Sequence, residues 1–300
     1  MERMNLDRCW EGEFPMYRGA WLGQQPPGSE PREFAPEVFN TDRMSFGATF
    51  SPDGSELFFG CERPGHPKIH DIVCTRRVDD VWTVPERLPF NSDAMDGDHC
   101  LSHDGNRIVW RSWRLLPDET EPRQWTTLWW SERVDGVWGK EHLLLCGGEM
   151  QRTGYPGIGR SNTLYFAARD PGREPGIFRS RLENGAYGSR EEIVSGMKAG
   201  GDMCVAPDES YLVITCADEP ENLGQCDLFV SFRRNDDSWT PLRHLGDRVN
   251  TPGDAMETNC PTITPDGRYL FYRLYNFDTR RSRVSWVEAS FVQAFRDDAR

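Results

Sequence analysis

Hydrophobic and polar positions along this chain recur as one block. Each block is an apolar run, a short polar turn and a second run rich in aromatic and β-branched residues, which is the pattern of a β-hairpin. The copies occupy residues 50–59, 101–110, 158–166, 205–214 and 263–272. Their turns are separated by 47 to 58 residues, a spacing that fits one four-stranded propeller blade per copy. The pattern therefore predicts an all-β protein, a β-propeller of five blades.

The turns carry a common signal. Residues 52–54 and 265–267 read Pro-Asp-Gly, and residues 103–105 and 207–209 are close variants. Proline presets φ, aspartate bonds the backbone ahead of it, and glycine accepts a positive φ. The third copy lacks this signal, so the blade boundary near residues 152–160 stays open and a cryptic sixth blade is an alternative.

Each unit continues beyond its hairpin with an apolar third strand and an aromatic residue that opens a fourth strand. The third strands are predicted at residues 71–75, 127–131, 176–180 and 227–231. The aromatics that recur in one register are Trp82, Trp138, Tyr187 and Trp239. We interpret these rings as packing between neighbouring blades and not as platforms for a sugar.

The last unit has a third strand at residues 283–287 but no aromatic-led fourth strand after it. Residues 35–42 resemble residues 84–93, which belong to a fourth strand. The N-terminal segment is therefore predicted to complete the last blade, which leaves no open sheet edge. The chain then forms one domain, residues 1–300, with a terminal extension at 1–16 and a closing strand within 31–42. The predicted blades are residues 43–92, 93–147, 148–196, 197–247 and 255–295.

Composition narrows the classes of partner and location. The formal charge of −13 and the pI near 5.0 disfavour nucleic acid as a partner. The sequence contains no apolar stretch near the roughly 18 residues of a membrane span, and its opening does not read as a secretory signal. Nine cysteines, an odd number without a Cys-x-x-Cys pair, are typical of reduced thiols. These features predict a cytoplasmic protein, or a periplasmic one if a signal peptide has been removed.

The candidate site lies where the innermost strands approach the propeller axis. Alignment on the turns places Gly47, Asp98, Tyr155, Asp202 and Cys260 at equivalent positions. The long segment 111–125, with two tryptophans and three arginines, is expected on the same face. A polar, charged recognition surface is predicted there, for a small polar ligand, a saccharide, a peptide or a protein. Its residues are Asp98, His99, Tyr155, Asp202, Glu257, Asn259, Arg111 and Arg273.

Three alternatives stay open. Asp98, Asp202 and Glu257, or His99, could perform acid–base catalysis in a hydrolase or lyase that acts on a carbohydrate or small polar substrate. A divalent metal could bind at the axis, with Asp98 and His99 as its candidate ligands. A structural scaffold would instead show an apolar patch on one face of the disc. The other histidines, His70 and His244 among them, are expected to be solvated.

The repeats resemble the WD40-like PD40 repeats of TolB-type propellers. Residues 21–28 (WLGQQPPG) and 34–36 (FAP) resemble the N-terminal signature of a stand-alone bacterial subgroup, and residues 285–291 resemble its closing strand. The resemblance covers about residues 17–295. The resemblance implies a β-propeller fold. The best-understood relatives of this subgroup bind proteins or peptides.

Overall fold

The repeated blocks form the predicted hairpins. The computed structural model describes residues 14–40, 44–116, 119–121, 125–150 and 152–296. In every block the strand before the polar turn pairs antiparallel with the strand after it. In the first turn, Asp53 accepts hydrogen bonds from the Ser51 hydroxyl at 2.6 Å and the Ser55 N–H at 3.0 Å. The aspartate thus fixes the turn as its chemistry predicts.

The third turn reaches the same geometry without Pro-Asp-Gly. Asn162 has φ 61° where the first turn has Gly54 at φ 67°. Asparagine tolerates this left-handed backbone better than most residues do. The N–H of Asn162 donates to the Gly159 carbonyl at 2.9 Å, as the N–H of Gly54 does to Ser51 at 2.9 Å. The degenerate copy is therefore a true repeat of the hairpin.

Further strands extend the hairpins, so that the described residues form five antiparallel meanders of four strands. Meander 1 contains Ser45–Phe50, Glu56–Arg63, His66–Val78 and Glu86–Arg87. Meander 2 contains Asp96–Leu101, Arg107–Ser112, Thr127–Val134 and His142–Leu143. Meander 3 contains Thr153–Ile158, Leu164–Ala168, Gly176–Ser180 and Glu191–Val194. Meander 4 contains Ala199–Val205, Tyr211–Ala217, Cys226–Phe232 and Arg243–His244. Meander 5 contains Met256–Ile263, Tyr269–Asn276, Arg281–Glu288 and, from the N-terminal segment, Arg32–Glu33.

Short elements complete the described part of the chain. Two-residue strands are Val81–Trp82, Val137–Trp138, Leu145–Cys146, Glu149–Met150, Leu182–Glu183 and Ala186–Tyr187. The helices are the 3₁₀ segments Ala20–Gly23 and Ala289–Phe295 and the α-helical turn Pro36–Phe39. No described helix has the length and apolar character needed to cross a membrane.

The innermost strands close into a ring. Each contacts the innermost strand of the next meander, and that of meander 5 contacts that of meander 1. This arrangement confirms the predicted all-β propeller. The four recurring aromatics are 3–8% exposed and lie in apolar clusters that join neighbouring meanders, as predicted. Trp138, for example, packs on Phe58 of meander 1 with ring centroids 6.2 Å apart.

The N-terminal segment contacts both ends of the ring. Arg32–Glu33 pairs antiparallel with Trp286 and Ser285, the third strand of meander 5. The next residues depart from the predicted strand, because Pro36–Phe39 forms a helical turn. Proline is favoured at the start of a helix, and here the turn buries Val38 and Phe39 in the cluster shared by meanders 1 and 5. Residues 41–42 of the predicted closing strand and residues 1–13 of the extension lie outside the described residues.

Candidate functional site

Every innermost strand carries a β-bulge at nearly the same depth in the ring. The bulged residues are 47–48, 98–99, 155–156, 201–202 and 260–261. Bulged residues leave the ladder, and the strand re-aims their side chains. Asp98, Tyr155 and Cys260 have φ values of 45°, 56° and 48°, a left-handed backbone that costs a non-glycine residue of order 1–3 kcal/mol. Such strain is concentrated at functional sites, which singles out this level of the axis.

The bulges narrow the axial channel into two cavities. Asp98, Tyr155, Asp202 and Cys260 line both of them. The wider cavity, here called the mouth, has a volume of about 570 Å³. Its wall includes Met44, Phe46, His70, Arg111, Thr215, Gln225, Glu257, Asn259 and Arg273. The narrower cavity, of about 100 Å³, extends toward the hairpin turns between Pro156, Met203 and Pro261. Seven of the eight predicted recognition residues therefore meet at one cavity, and His99 does not line it.

An arginine from the second strand of meander 2 lines one side of the mouth. The Arg111 guanidinium forms an ion pair with Asp98 and lies over the Tyr155 ring, 4.1 Å from its centroid. Burial raises the pKa of Asp98, and the negative charge of Asp202 adds to this rise while Arg111 opposes it. Burial likewise raises the pKa of Tyr155 well above its usual value. The charge of Arg111 is thus already compensated within the protein.

A second arginine holds the opposite side. The Arg273 Nε donates to the Asn259 Oδ1 at 2.8 Å, and a terminal nitrogen of Arg273 lies 3.5 Å from Glu257. Asn259 also donates to Glu257 at 3.1 Å, so the three side chains form a closed network. Burial raises the pKa of Glu257, and Arg273 opposes that rise. These side chains stand on adjacent strands, because Asn259 faces Arg273 in the ladder.

Asp202 is different, because the described residues include no cation in salt-bridge contact with it. Its Oδ2 accepts a hydrogen bond from the Cys260 backbone N–H at 3.1 Å and lies 3.3 Å from the Cys260 sulfur. The same sulfur lies 4.0 Å from Asp98. Burial raises the pKa of Cys260 well above its usual value, and Asp202 adds to the rise, so the thiol stays protonated and can donate to this carboxylate. Asp202 therefore keeps an acceptor capacity directed at the mouth.

The two candidate metal ligands, Asp98 and His99, both line the narrower cavity, and only Asp98 lines the mouth. Asp98 faces Arg111, whose positive charge opposes a cation, and His99 lies outside the mouth. Across the described residues, no three His, Cys, Asp or Glu side chains are grouped so as to hold a metal ion. His99 is 4% exposed and packs near Phe58, with 6.4 Å between the ring centroids. A metal role and a recognition role for His99 therefore stay predictions.

Two residues that the sequence reasoning missed line the mouth. His70 lies on the third strand of meander 1, and Thr215 on the second strand of meander 4. The His70 Nδ1 and the Thr215 Oγ1 are buried atoms without a hydrogen-bond partner. His70 was expected to be solvated, but burial, aided by the charges of Arg273 and Arg111, lowers its pKa to about 4. The alignment of innermost strands could not find them, since both belong to later strands.

The segment after Arg111 has a structural role where it is described. Arg114 is 9% exposed and pairs with Asp96 at 2.9 Å, and Asp96 also accepts from the Trp110 indole at 3.1 Å. His244, also expected to be solvated, lies 2.9 Å from the buried Asp227. Trp113 is 39% exposed at the rim of the face that bears the mouth. Residues 117–118 and 122–124 of the predicted loop lie outside the described residues.

Acid is expected to destabilise the fold through His99. Burial lowers the pKa of His99 to about 4 in the folded protein, against about 6.5 in an unfolded chain. Between these values the unfolded state binds more protons, so stability is complete above pH 6.5 and falls toward pH 4. The effect is at most about 1.4 kcal/mol per pH unit for one group. The raised pKa values of Asp98 and Glu257 give a slope of the opposite sign.

Urea unfolding at pH 7.0, 5.5 and 4.5 measures this slope. His99→Gln is expected to lose less stability between pH 7.0 and 4.5 than the natural protein does. His103→Gln, at an exposed turn position, serves as the matched control and should keep the original slope. An unchanged slope in His99→Gln would contradict the assignment.

Comparisons with known proteins agree with the fold. The sequence matches no family model and no curated protein. A solved structure described as a glycoside hydrolase is similar with a TM-score of 0.57 and 9% identity, over 89% of this chain and 93% of that one. A candidate TolB from Agrobacterium tumefaciens gives a TM-score of 0.53 and 13% identity, over 92% and 86% of the two chains. A candidate gluconolactonase gives a TM-score of 0.50 and 13% identity, over 90% of this chain and 86% of that one. At these identities the likeness is one of fold, and the PD40 resemblance remains a prediction.

Proposed function

We propose that the mouth binds a small polyhydroxylated ligand of the saccharide class. The observation that carries this proposal is unfilled hydrogen-bonding capacity around the wall of the mouth. Asp202 has no cationic partner within the described residues, and the His70 Nδ1 and Thr215 Oγ1 are buried without partners. Buried polar atoms are normally hydrogen-bonded, so such a wall calls for a ligand or water.

The charges of the side chains that line the mouth favour an uncharged ligand group there. Arg111 and Arg273 are each paired with a carboxylate, so neither offers a net charge to an anion. Asp202 adds a negative charge near them, which disfavours a carboxylate in the mouth. Hydroxyl groups can donate to Asp202 and accept from Arg111, Arg273 or Thr215. Phe46 and Tyr155 also line the mouth and add apolar surface to its wall.

A glycan array followed by calorimetry of the retained glycans tests this proposal. Ala217→Trp would fill part of the mouth and is expected to weaken binding about tenfold. Val84→Trp, at a position that is 50% exposed and away from the mouth wall, is the matched control. Binding that survives Ala217→Trp would move the ligand elsewhere. A protein that retains peptides and no glycan would favour peptide recognition instead.

A second candidate, hydrolysis of a glycosidic bond, is favoured by a specific arrangement. Asp98, Asp202 and Glu257 come from three meanders and line one cavity. The pKa values of Asp98 and Glu257 are raised by burial, and a carboxyl group with a raised pKa suits a general acid. Asp202, without a cationic partner, would serve as the base or nucleophile.

Product analysis of the glycans that bind tests hydrolysis. New reducing ends should appear with the natural protein, and Glu257→Gln should slow their appearance more than tenfold while affinity stays within about twofold. The glutamine can still accept a hydrogen bond from Asn259, so the fold of the variant should persist. Glycans recovered intact after prolonged incubation would remove this candidate and leave the binding function.

The scaffold alternative has less support. A scaffold calls for a contiguous apolar patch. Exposed large apolar side chains of the described residues are spread over four meanders, as Val78, Val134, Val137, Leu223 and Phe277.

A further inference from the structure

A groove runs from the mouth across meanders 2, 3 and 4. It has a volume of about 590 Å³ and shares Arg111, Tyr155 and Gly200 with the mouth, so the two cavities lie next to each other. Its outer wall contains Trp113, Trp125, Arg152, Arg169, Asp170 and Lys198. A ligand longer than the mouth would extend into this groove.

The charge of the groove is opposite to that of the mouth. Asp170 is its one carboxylate among the described lining residues, and it is already paired with Arg190 and Arg173. Lys198 pairs with Glu219 at 3.7 Å. Arg152 and Arg169 have no carboxylate partner within the described part of the chain, although the protein as a whole carries a formal charge of −13. A net positive surface inside so acidic a protein is a place where an anionic group gains most.

An aromatic ring holds one of these cations, Arg152, in a form that suits recognition. The Arg152 guanidinium lies over the Trp125 ring, 3.8 Å from its centroid. A guanidinium that stacks through its face keeps its in-plane N–H donors available for a carboxylate or sulfate. The Trp125 Nε1 is buried without a hydrogen-bond partner and adds a further donor. Trp113, 39% exposed, provides a second ring at the same rim.

We propose that the groove binds an anionic substituent, a carboxylate or sulfate, of the saccharide whose neutral part occupies the mouth. This inference rests on the proposed saccharide function and assigns the ligand to the acidic glycans. Arg152 and Arg169 would contact the anion, and Trp113 and Trp125 would pack against the sugar that bears it. The mouth, where Asp202 lies, would exclude the anion and so fix the direction of the bound glycan.

An array that carries uronic-acid glycans, their methyl esters, sulfated glycans and neutral glycans tests this inference. The natural protein is expected to retain acidic glycans and to lose about tenfold in affinity when the carboxylate is esterified. Separate carboxylated and sulfated sets show which anion is preferred. Raising the salt concentration from 50 to 500 mM should weaken the acidic glycans and leave neutral ones unchanged, because salt screens exposed charges.

Variants separate this inference from the proposed function. Arg152→Gln and Arg169→Gln should each reduce affinity for the acidic glycan about fivefold and leave affinity for its methyl ester unchanged. Arg32→Gln, an exposed arginine of the closing strand, is the matched control. Neutral glycans bound as tightly as acidic ones, with no effect of Arg152→Gln, would overturn the inference and leave the mouth as a saccharide site. An array that retains no glycan would overturn both proposals.

Discussion

Asp202→Asn is expected to weaken saccharide binding about 10- to 100-fold, because a hydrogen bond to a charged group contributes about 1.5–3 kcal/mol. Asp202 contacts no cation in the described structure, and its acceptor capacity toward the mouth is not used by the protein. The asparagine has the same size and can still accept from the Cys260 N–H through its carbonyl oxygen. The substitution should therefore remove charge from the floor and leave the strand in place.

Isothermal titration with the tightest array glycan measures the loss, and thermal unfolding followed by circular dichroism checks the fold. Asp135→Asn, in an exposed hairpin turn of meander 2, is the matched control and should bind as the natural protein does. Unchanged affinity in Asp202→Asn would exclude the mouth as the site. A variant that fails to fold would instead show that Asp202 serves to shape the axis.

Phe34→Ala is expected to destabilise the propeller by about 3–5 kcal/mol, the usual cost of truncating a fully buried phenylalanine. Phe34 is 0% exposed, and its ring centroid lies 5.0 Å from Phe271 and 5.2 Å from Trp286 of meander 5. It also lies 6.0 Å from Phe50 of meander 1. One side chain thus packs on both ends of the ring. Since whole domains are stable by about 5–15 kcal/mol, this loss is a large fraction of the total.

Urea unfolding of Phe34→Ala and of Phe277→Ala measures this contribution. Phe277 is 43% exposed, so its truncation should change the free energy of unfolding by less than about 1 kcal/mol. If Phe34→Ala lost no more than the control, packing of the Phe34 side chain would contribute nothing to closing the propeller. The hydrogen bond from the Phe34 backbone N–H to the Val284 carbonyl, 2.8 Å long, remains in the variant. The test therefore isolates the packing of the Phe34 side chain.

Much of the fold could be read from local signals. The hairpin turns were predictable because aspartate and glycine act on their immediate neighbours, as Asp53 and Gly54 do. The aromatics that precede the fourth strands were predictable because their register repeats, and Trp138 packs between meanders as expected. The helical turn Pro36–Phe39 was not predicted, because its residues match those of a strand elsewhere and contacts with meanders 1 and 5 decide the outcome.

The axial positions Asp98, Tyr155 and Asp202 followed from aligning the turns, since residues at equal distance from equivalent turns lie at equal depth in a ring. The direction of each side chain did not follow. The bulge at residues 98–99 interrupts the regular alternation of side chains, and there Asp98 lines the mouth while His99 lines only the narrower cavity. His70 and Thr215 reach the mouth from second and third strands, and only the packed ring brings them to it.

The sequence by itself determined the repeat, the strand order and the residues nearest the axis, because these depend on turn chemistry and on the two-residue period of strands. The tertiary structure decided which charges are left over. Arg111 forms an ion pair with Asp98, and Arg273 forms one with Glu257. Among the described residues, Asp202 at the mouth and Arg152 in the groove have no opposite charge in salt-bridge contact. Whether two charges pair depends on distances of a few ångströms in the packed ring, which no local pattern in the chain encodes.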